Sequence, residues 1–244
     1  GQGSDTAMAQ IAGEVLHLAA ESISVVHSDT DVTPYDMATL GSRSLFHMGN
    51  AVKLAAEDAL NKLNGLRKEL GLPADCPVPD IFKKKYGMQA GNVVGTGSYI
   101  PTYKSPDANG LTDNATPFWM VGGSGVELEV DTETGQVQIT NAVCVNDVGH
   151  VFNPAGAMGQ QYGGAVLGFG RSAIDEKVYC PNTGVGLNFD HINYHIGTMN
   201  DFAPVQCILN ESHLGYSAYG ACEIGENVGA ALCGITSSAI YNAI

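Results

Sequence analysis

Positive charge is scarce in this chain: 11 Lys and Arg stand against 25 Asp and Glu, a formal net charge of −14. Such a surface repels phosphate backbones and anionic bilayers, which argues against nucleic-acid and membrane partners. The one basic run, Lys83-Lys84-Lys85, is too short for a binding patch and reads as solvated surface. No C-x-x-C pair occurs among the six cysteines at 76, 144, 180, 207, 222 and 233, which excludes a zinc ribbon or a local iron–sulfur motif. These cysteines read as mostly buried thiols. No apolar run is long enough to span a bilayer and no signal peptide is recognisable, so the expected location is cytoplasmic. An initiator methionine is also lacking. The chain opens at Gly1-Gln2-Gly3 and closes inside a helical pattern at Ala239 to Ile244, and it is expected to be a piece of a longer protein.

What is present is 244 residues with 44% hydrophobic content, enough to bury the core of one or two domains. The chemistry-bearing stretch is Gly220-Ala-Cys-Glu-Ile-Gly-Glu-Asn-Val-Gly229, which puts Glu226 on a glycine-flanked turn before an apolar segment running to Ile244. Gly225 and Gly229 permit tight backbone and close approach of another group. Two roles are open to Glu226. It can cap the following helix, or it can serve as a general base, its charged form disfavoured by apolar surroundings.

Read in order, the glycine loop at residues 1 to 3 feeds a helix pattern of Met8, Ile11, Ala12, Val15, Leu18 and Ala19, with Ser4, Asp5 or Thr6 as N-cap. Ile23-Ser24-Val25-Val26 predicts a short strand. Residues 27 to 44 form a hydroxyl-rich loop ending in Gly41-Ser42-Arg43-Ser44, which can offer amides, hydroxyls and a guanidinium to a phosphate or can simply cap itself. A long helix follows from about Met48 to Leu70, with the pairs Lys53–Glu57 and Asp58–Lys62 outward, ended by Pro73, Pro77 and Pro79. Residues 87 to 117 read as strand and loop. Gly95-Thr96-Gly97 lacks the third glycine and helix of a dinucleotide fingerprint. Val126–Val130 and Val137–Ile139 predict a β-hairpin, extended over Val143–Val148. Asn153-Pro154 breaks that strand, and Gly159-Gln160-Gln161-Tyr162-Gly163-Gly164 begins a small-residue helix. Its glutamine can meet a ligand or a helix neighbour. His191, Tyr194, His195 and Asp201 lack a third ligand at metal spacing and read as structural or surface groups.

Together these pieces resemble the molybdenum-binding subunit of the xanthine dehydrogenase and aldehyde oxidoreductase family, in order and over nearly the whole chain. Gly1-Gln2-Gly3 resembles the family's Gly-Gln-Gly. Asp29-Thr30, Pro34 and Gly41-Ser42-Arg43-Ser44 resemble its cofactor loop. Asp147-Val148-Gly149, Asn153-Pro154, Gly159-Gln160 and Gly163-Gly164 resemble the segment holding the pterin and its phosphates, and Gly225-Glu226 stands at its catalytic glutamate. The resemblance implies an α+β fold with mixed sheets and packed helices, in two sub-regions, residues 1 to 75 and 85 to 244. It implies a molybdenum hydroxylase subunit acting on an N-heteroaromatic, purine or aldehyde substrate with water-derived oxygen. Glu226 would be the base and hydride would pass to the molybdenum centre.

The cofactor-binding residues implied are Gly1, Gln2, Gly3, Gly41, Ser42, Arg43, Ser44, Gln160, Gly163, Gly164 and Gly225. Gln2 would contact the apical oxo ligand without ligating the metal. The implied cofactor is molybdenum with molybdopterin, in its cytosine dinucleotide form. 2Fe-2S clusters and FAD are expected on partner subunits, together with a second molybdopterin subunit if the chain is of a split type such as nicotinate dehydrogenase. Two departures stand out: Cys222 replaces a Lys usual before the glutamate, and Glu223 adds a carboxylate. The competing class is a non-catalytic binding or assembly module that keeps the fold.

Overall fold

The computed structural model describes residues 1–26, 28–36, 38–89 and 91–244; His27 and Met37 of the polar loop, and Ala90, lie outside the described residues. The chain divides into two compact units. One comprises Gly1, Gly3–Phe118 and Tyr216–Gly220, and the other Gln2, Trp119–Gly215 and Ala221–Ile244.

The first unit is helical. Helix α1, Ser4–Leu16, buries Met8, Ile11 and Val15 as their spacing predicts. Its N-cap is Gly3 in the left-handed conformation at φ 84°, with no side-chain capping bond, rather than Ser4, Asp5 or Thr6. Glycine there turns the chain at no steric cost, so Ser4 is already helical. Ile23 to Val26 form no strand: Ile23 is extended, but among the described residues no strand pairs with the segment, and Val26 stays exposed. Residues Leu45–Gly49 form a π-turn that runs into helix α2, Asn50–Glu69. On its outer face Lys62 meets Asp58 at 2.7 Å and Lys53 meets Glu57 at 3.9 Å, as the i,i+4 spacing predicts.

Helix α3, Val78–Tyr86, packs Ile81 and Phe82 against Leu63, Leu66 and Leu70 of the α2 region. Its lysine run is not merely solvated. Lys84 Nζ donates to the Leu70 carbonyl at 2.8 Å and Lys85 pairs with Glu69, so the run fastens α3 to the end of α2. Residues 91 to 118 contain no strand. Gly95 and Gly97 lie flat on α2, where a Cβ would strike the Ala55 and Ala51 carbonyl oxygens, and the Thr96 amide donates to Asp58 Oδ2 at 2.9 Å. The Gly-Thr-Gly motif is therefore a helix-packing motif. Phe46 sits at its far end, edge-on to Tyr99 with ring centroids 5.3 Å apart.

The second unit contains a three-stranded mixed sheet in the order β1-β2-β3. Strand β1, Gly122–Val130, pairs antiparallel with β2, Val137–Asp147. Their turn is fixed by Asp131 Oδ1, which accepts from the amides of Glu133 and Thr134, and by Gly135 at φ 77°. The register shifts between Glu127 and Leu128, whose partners are Asn141 and Ile139, leaving Thr140 as the extra residue. That bulge resets the period-two alternation, which is why Ile139 and Ala142, three residues apart, are both buried. Helix α4, Pro154–Ala173, crosses over the sheet to β3, Val205–Asn210, which pairs parallel with β2. Strand β3 was not anticipated, although Val205, Cys207 and Leu209 alternate. Helix α5, Asn227–Ala243, packs with α4 on the sheet around Phe169, Val228, Leu232, Cys144 and Ala165. Among the described residues no helix is long and apolar enough to cross a membrane.

Candidate functional site

The start of α5 is held from two sides. Asn146, buried at the end of β2, accepts a hydrogen bond on its Oδ1 from the Nδ2 of Asn227, the first residue of α5. Just upstream, the Cys222 amide donates to the Val148 carbonyl at 2.9 Å, and Ala221 pairs with Gly149. These bonds fix the turn from 221 to 226 against the end of β2. Glu226 occupies the N-cap position of α5, with φ −124° and ψ −22°, but its side chain makes no capping hydrogen bond. It is exposed, as is Gly225, because Val228 and Gly229 take the inward face of the first turn. Of the two roles the sequence offers, capping is not in use. The apolar enclosure expected for a base is not provided by this chain either.

Helix α4 runs beside that turn. A Cβ at Gly164 would lie 3.2 Å from Val228 Cβ, and one at Gly168 would lie 2.8 Å from Leu232 Cβ. Contacts that advance by four residues on both helices mean that α4 and α5 run parallel. Gln160, Gly163, Gly164, Gly225 and Glu226 all lie in this one unit, where Gly164 of α4 meets Val228 and Gly229 of α5. They differ in environment: Gly163 faces open space, Gln160 is half-buried, and Gly164 is the close-approach point for α5. Gln2, exposed, counts with this unit, whereas Gly1 and Gly3 belong to the other. The helix begins at Pro154, a turn and a half before Gly159, because Asn153 Oδ1 caps it through the Gly156 amide at 3.0 Å and proline suits the first helical position.

The remaining predicted residues lie in the helical unit. Gly41 and Ser42 have φ of 59° and 53°, a left-handed pair that costs Ser42 steric energy. Ser44 Oγ shares a hydrogen bond with Thr39 Oγ1 at 2.8 Å, and Arg43 Nη2 donates to the Ala38 carbonyl at 3.3 Å. Within the same loop Asp29 Oδ1 accepts from the Asp31 amide and Asp36 Oδ1 from the Ala38 amide, so the loop does cap itself. Ser42 Oγ and His47 Nδ1 are nevertheless buried without a hydrogen-bond partner. Burial, then the Arg43 charge, hold the His47 imidazole below its ordinary pKa.

In the sheet unit, Gln161 is fully buried with both amide atoms unpartnered. Unsatisfied buried polar atoms are costly, so such orphans suit positions that a polar ligand completes. Within each unit by itself the donors suit a polar ligand: Ser42 Oγ beside the open backbone at Gly41 in the helical unit, whose Arg43 suits phosphate, and Gln161 on the same helix as the open Gly163 in the sheet unit. Sequence reading chose Gln160 and passed over Gln161; only the three-dimensional packing distinguishes adjacent glutamines on one helix.

Sequence reading also missed a cluster at the other side of the 221–226 turn. Asp147 Oδ2 accepts from Ser212 Oγ and lies 2.9 Å from His213 Nδ1, while Asp147 Oδ1 accepts from the Gly149 amide at 3.2 Å. His213 Nε2 in turn lies 3.8 Å from Cys222 Sγ. Burial pushes the Asp147 carboxyl up, but the bonds from Ser212, Gly149 and His213 outweigh it and hold it below the usual carboxylate range. The Cys222 thiol is pushed up by burial and by the charges of Asp147 and Glu223. No spacing rule connects residues 147, 213 and 222. The histidines weighed from sequence, His191 and His195, are exposed, Tyr194 donates to Asp175 at 3.2 Å, and Asp201 accepts from Thr198 at 2.6 Å. All six cysteines are free thiols, but only Cys76 and Cys144 are buried, so the expectation of mostly buried thiols fails for the other four.

The fold is shared with larger enzymes of known structure. A Cu,Mo carbon monoxide dehydrogenase superimposes with a TM-score of 0.79 at 21% identity, over 100% of this chain and 32% of that one. The aldehyde oxidoreductase of Desulfovibrio desulfuricans superimposes with a TM-score of 0.76 at 26% identity, over 95% of this chain and 24% of that one. Among curated proteins, the gamma subunit of the 6-hydroxypseudooxynicotine dehydrogenase complex of Paenarthrobacter nicotinovorans is 29% identical over 100% of this chain and 33% of its own length. A probable hypoxanthine oxidase of Escherichia coli is 32% identical over 93% of this chain and 25% of its own. The chain thus spans about a third or less of these relatives. The sequence profile of the molybdopterin cofactor-binding domain matches residues 1–203, and the chain belongs to that family.

Proposed function

We propose that this chain is part of the molybdenum-binding subunit of an oxidoreductase that hydroxylates an N-heteroaromatic, purine or aldehyde substrate. When bound, the molybdenum–pterin group, in its cytosine dinucleotide form, supplies the redox chemistry. The chain's own residues bind and orient it: Gly41, Ser42, Arg43 and Ser44 offer amides, a hydroxyl and a guanidinium to phosphate, and Gln160 with Gly163 offers an amide edge and open backbone. Gly1, Gln2 and Gly3 complete the polar contacts, with Gly225 allowing close approach, whereas Gly164, expected from the resemblance to bind the cofactor, is taken up in packing against Val228 of α5. Glu226 takes a proton onto its carboxylate from the oxygen added to substrate. Iron–sulfur and FAD partners carry the electrons away, since the cysteines here have no cluster-binding spacing. The observation that carries this reading is the position of Glu226: an exposed carboxylate that makes no capping bond, on a turn fixed by Asn146, Asn227 and Val148.

The test is Glu226→Gln in the full complex. Molybdenum content and melting temperature should hold while turnover falls on the order of 10² or more. Glu223→Gln, attractive as a control from sequence, is unsuitable because Glu223 is only 6% exposed and its loss would disturb the fold. Glu129→Gln, on the exposed side of β1, is the better control. Unchanged turnover in Glu226→Gln would remove the catalytic assignment. Reproducible absence of molybdenum from the intact wild-type complex would instead favour a non-catalytic module.

A further inference from the structure

Three segments far apart in sequence place metal-ligand chemistry at one point. Asp147 ends β2, His213 follows β3, and Cys222 precedes the Glu226 turn; one ligand atom from each lies within 4.8 Å of the other two. This convergence is built into the backbone. The Val148 amide donates to the Asn210 carbonyl at 2.8 Å, and the Cys222 amide to the Val148 carbonyl. The 212–215 loop is pressed onto the third segment, since a Cβ at Gly215 would strike the Ala221 carbonyl and come within 2.7 Å of Cys222 Sγ.

The atoms presented are the right ones. A tetrahedral zinc with bonds of about 2.3 Å to sulfur and about 2.0 Å to imidazole nitrogen separates those two atoms by roughly 3.6 Å. His213 Nε2 and Cys222 Sγ stand at 3.8 Å. The Asp147 carboxylate lies against the other ring nitrogen at 2.9 Å, and such a carboxylate partner fixes the orientation of a ligating imidazole. Asp147 is itself held by Ser212 and Gly149, so the histidine is oriented by a rigid group. The His213 side chain is 52% exposed, which leaves an entry path and room for water in the open positions.

We propose that Asp147, His213 and Cys222 form a binding site for a zinc-class divalent ion. His213 Nε2 and Cys222 Sγ are direct ligands, and Asp147 orients the histidine or closes onto the ion. On binding, the Cys222 S–H bond breaks, a sulfur–metal bond forms, and the proton leaves to solvent, with no change of oxidation state.

The test uses the full complex, exchanged into zinc-free buffer and titrated with zinc chloride. Binding is followed by elemental analysis after gel filtration and by X-ray absorption at the zinc edge, which iron and molybdenum do not obscure. The expected result is one equivalent retained, with a single sulfur at about 2.3 Å and nitrogen or oxygen at about 2.0 Å. Cys222→Ser should abolish the sulfur shell and weaken retention at least tenfold, and His213→Gln should weaken it similarly without removing iron or molybdenum. Stoichiometric zinc unchanged in both variants would place the ion elsewhere and overturn the proposal. No retention by wild type at micromolar zinc would overturn it too, leaving the cluster as a structural hydrogen-bond network.

Discussion

Two helices of the sheet unit run parallel and in contact, and their starts are built in opposite ways. Helix α4 has a complete cap: Asn153 accepts from the Gly156 amide, and Pro154 takes the first helical position. At the start of helix α5 the N-cap position is held by Glu226, whose carboxylate could accept from the same kind of orphan amide and does not. Its start is held indirectly, through Asn227 to Asn146 and through Cys222 to Val148. A cap that satisfies its own helix is spent on stability. A carboxylate kept out of the cap remains available for other chemistry, and the neighbouring bonds supply the rigidity that the cap would have given.

Substitutions can break this contrast. The largest effect should come from Glu226→Gln, about 10² or more in turnover of the full complex with folding unchanged. Next, Gly168→Ala places a methyl 2.8 Å from Leu232 and 2.9 Å from the Gly229 carbonyl, and should cost about 1–3 kcal/mol of unfolding free energy by denaturant titration. Gly163→Ala, one turn away and facing open space, should be neutral or stabilising, which separates packing glycines from site glycines. Asn153→Ala should cost about 1 kcal/mol by removing the α4 cap, whereas Glu226→Gln should change stability by no more than about 0.5 kcal/mol.

The smallest effect is a pH dependence. Burial, with the neighbouring Cys144, pushes the Cys207 thiol up from 9.0 to about 11. The folded state therefore keeps a proton that the unfolded chain loses. The stabilisation is complete below about pH 9 and is lost as pH rises to about 11. A thermal melt series should show this decline, and Cys207→Ala should flatten it. Cys207 should also alkylate slowly at neutral pH.

Legibility from sequence followed the range of the interactions. Helices α1, α2 and α5 and the β1–β2 hairpin were readable because their periodicity is local. Ile23 to Val26 misled because β propensity states only that a segment suits a sheet, and no partner strand reaches it. Strand β3 was overlooked inside a polar stretch, its pairing partner being β2, more than 60 residues earlier. Around the candidate site, Gln160, Gly163 and Glu226 were proposed from the family resemblance. The buried, unpartnered Gln161 and the Asp147–His213–Cys222 cluster were not. Burial and convergence are properties of the assembled chain, and adjacent glutamines or scattered Cys and His carry no periodic trace of them.

The sheet's pairing also sets an order in time. The β1–β2 hairpin closes through a short turn and can form early, whereas β3 can join β2 only after the whole α4 crossover has been placed. The bond from Val148 to Asn210 closes with that pairing, and the bond from Cys222 to Val148, which bridges about 70 residues of sequence, closes later still. The turn that presents Glu226 is accordingly among the last features to become native and among the first to open. Hydrogen exchange should find the hairpin amides protected while the amides of Val148 and Cys222 still exchange.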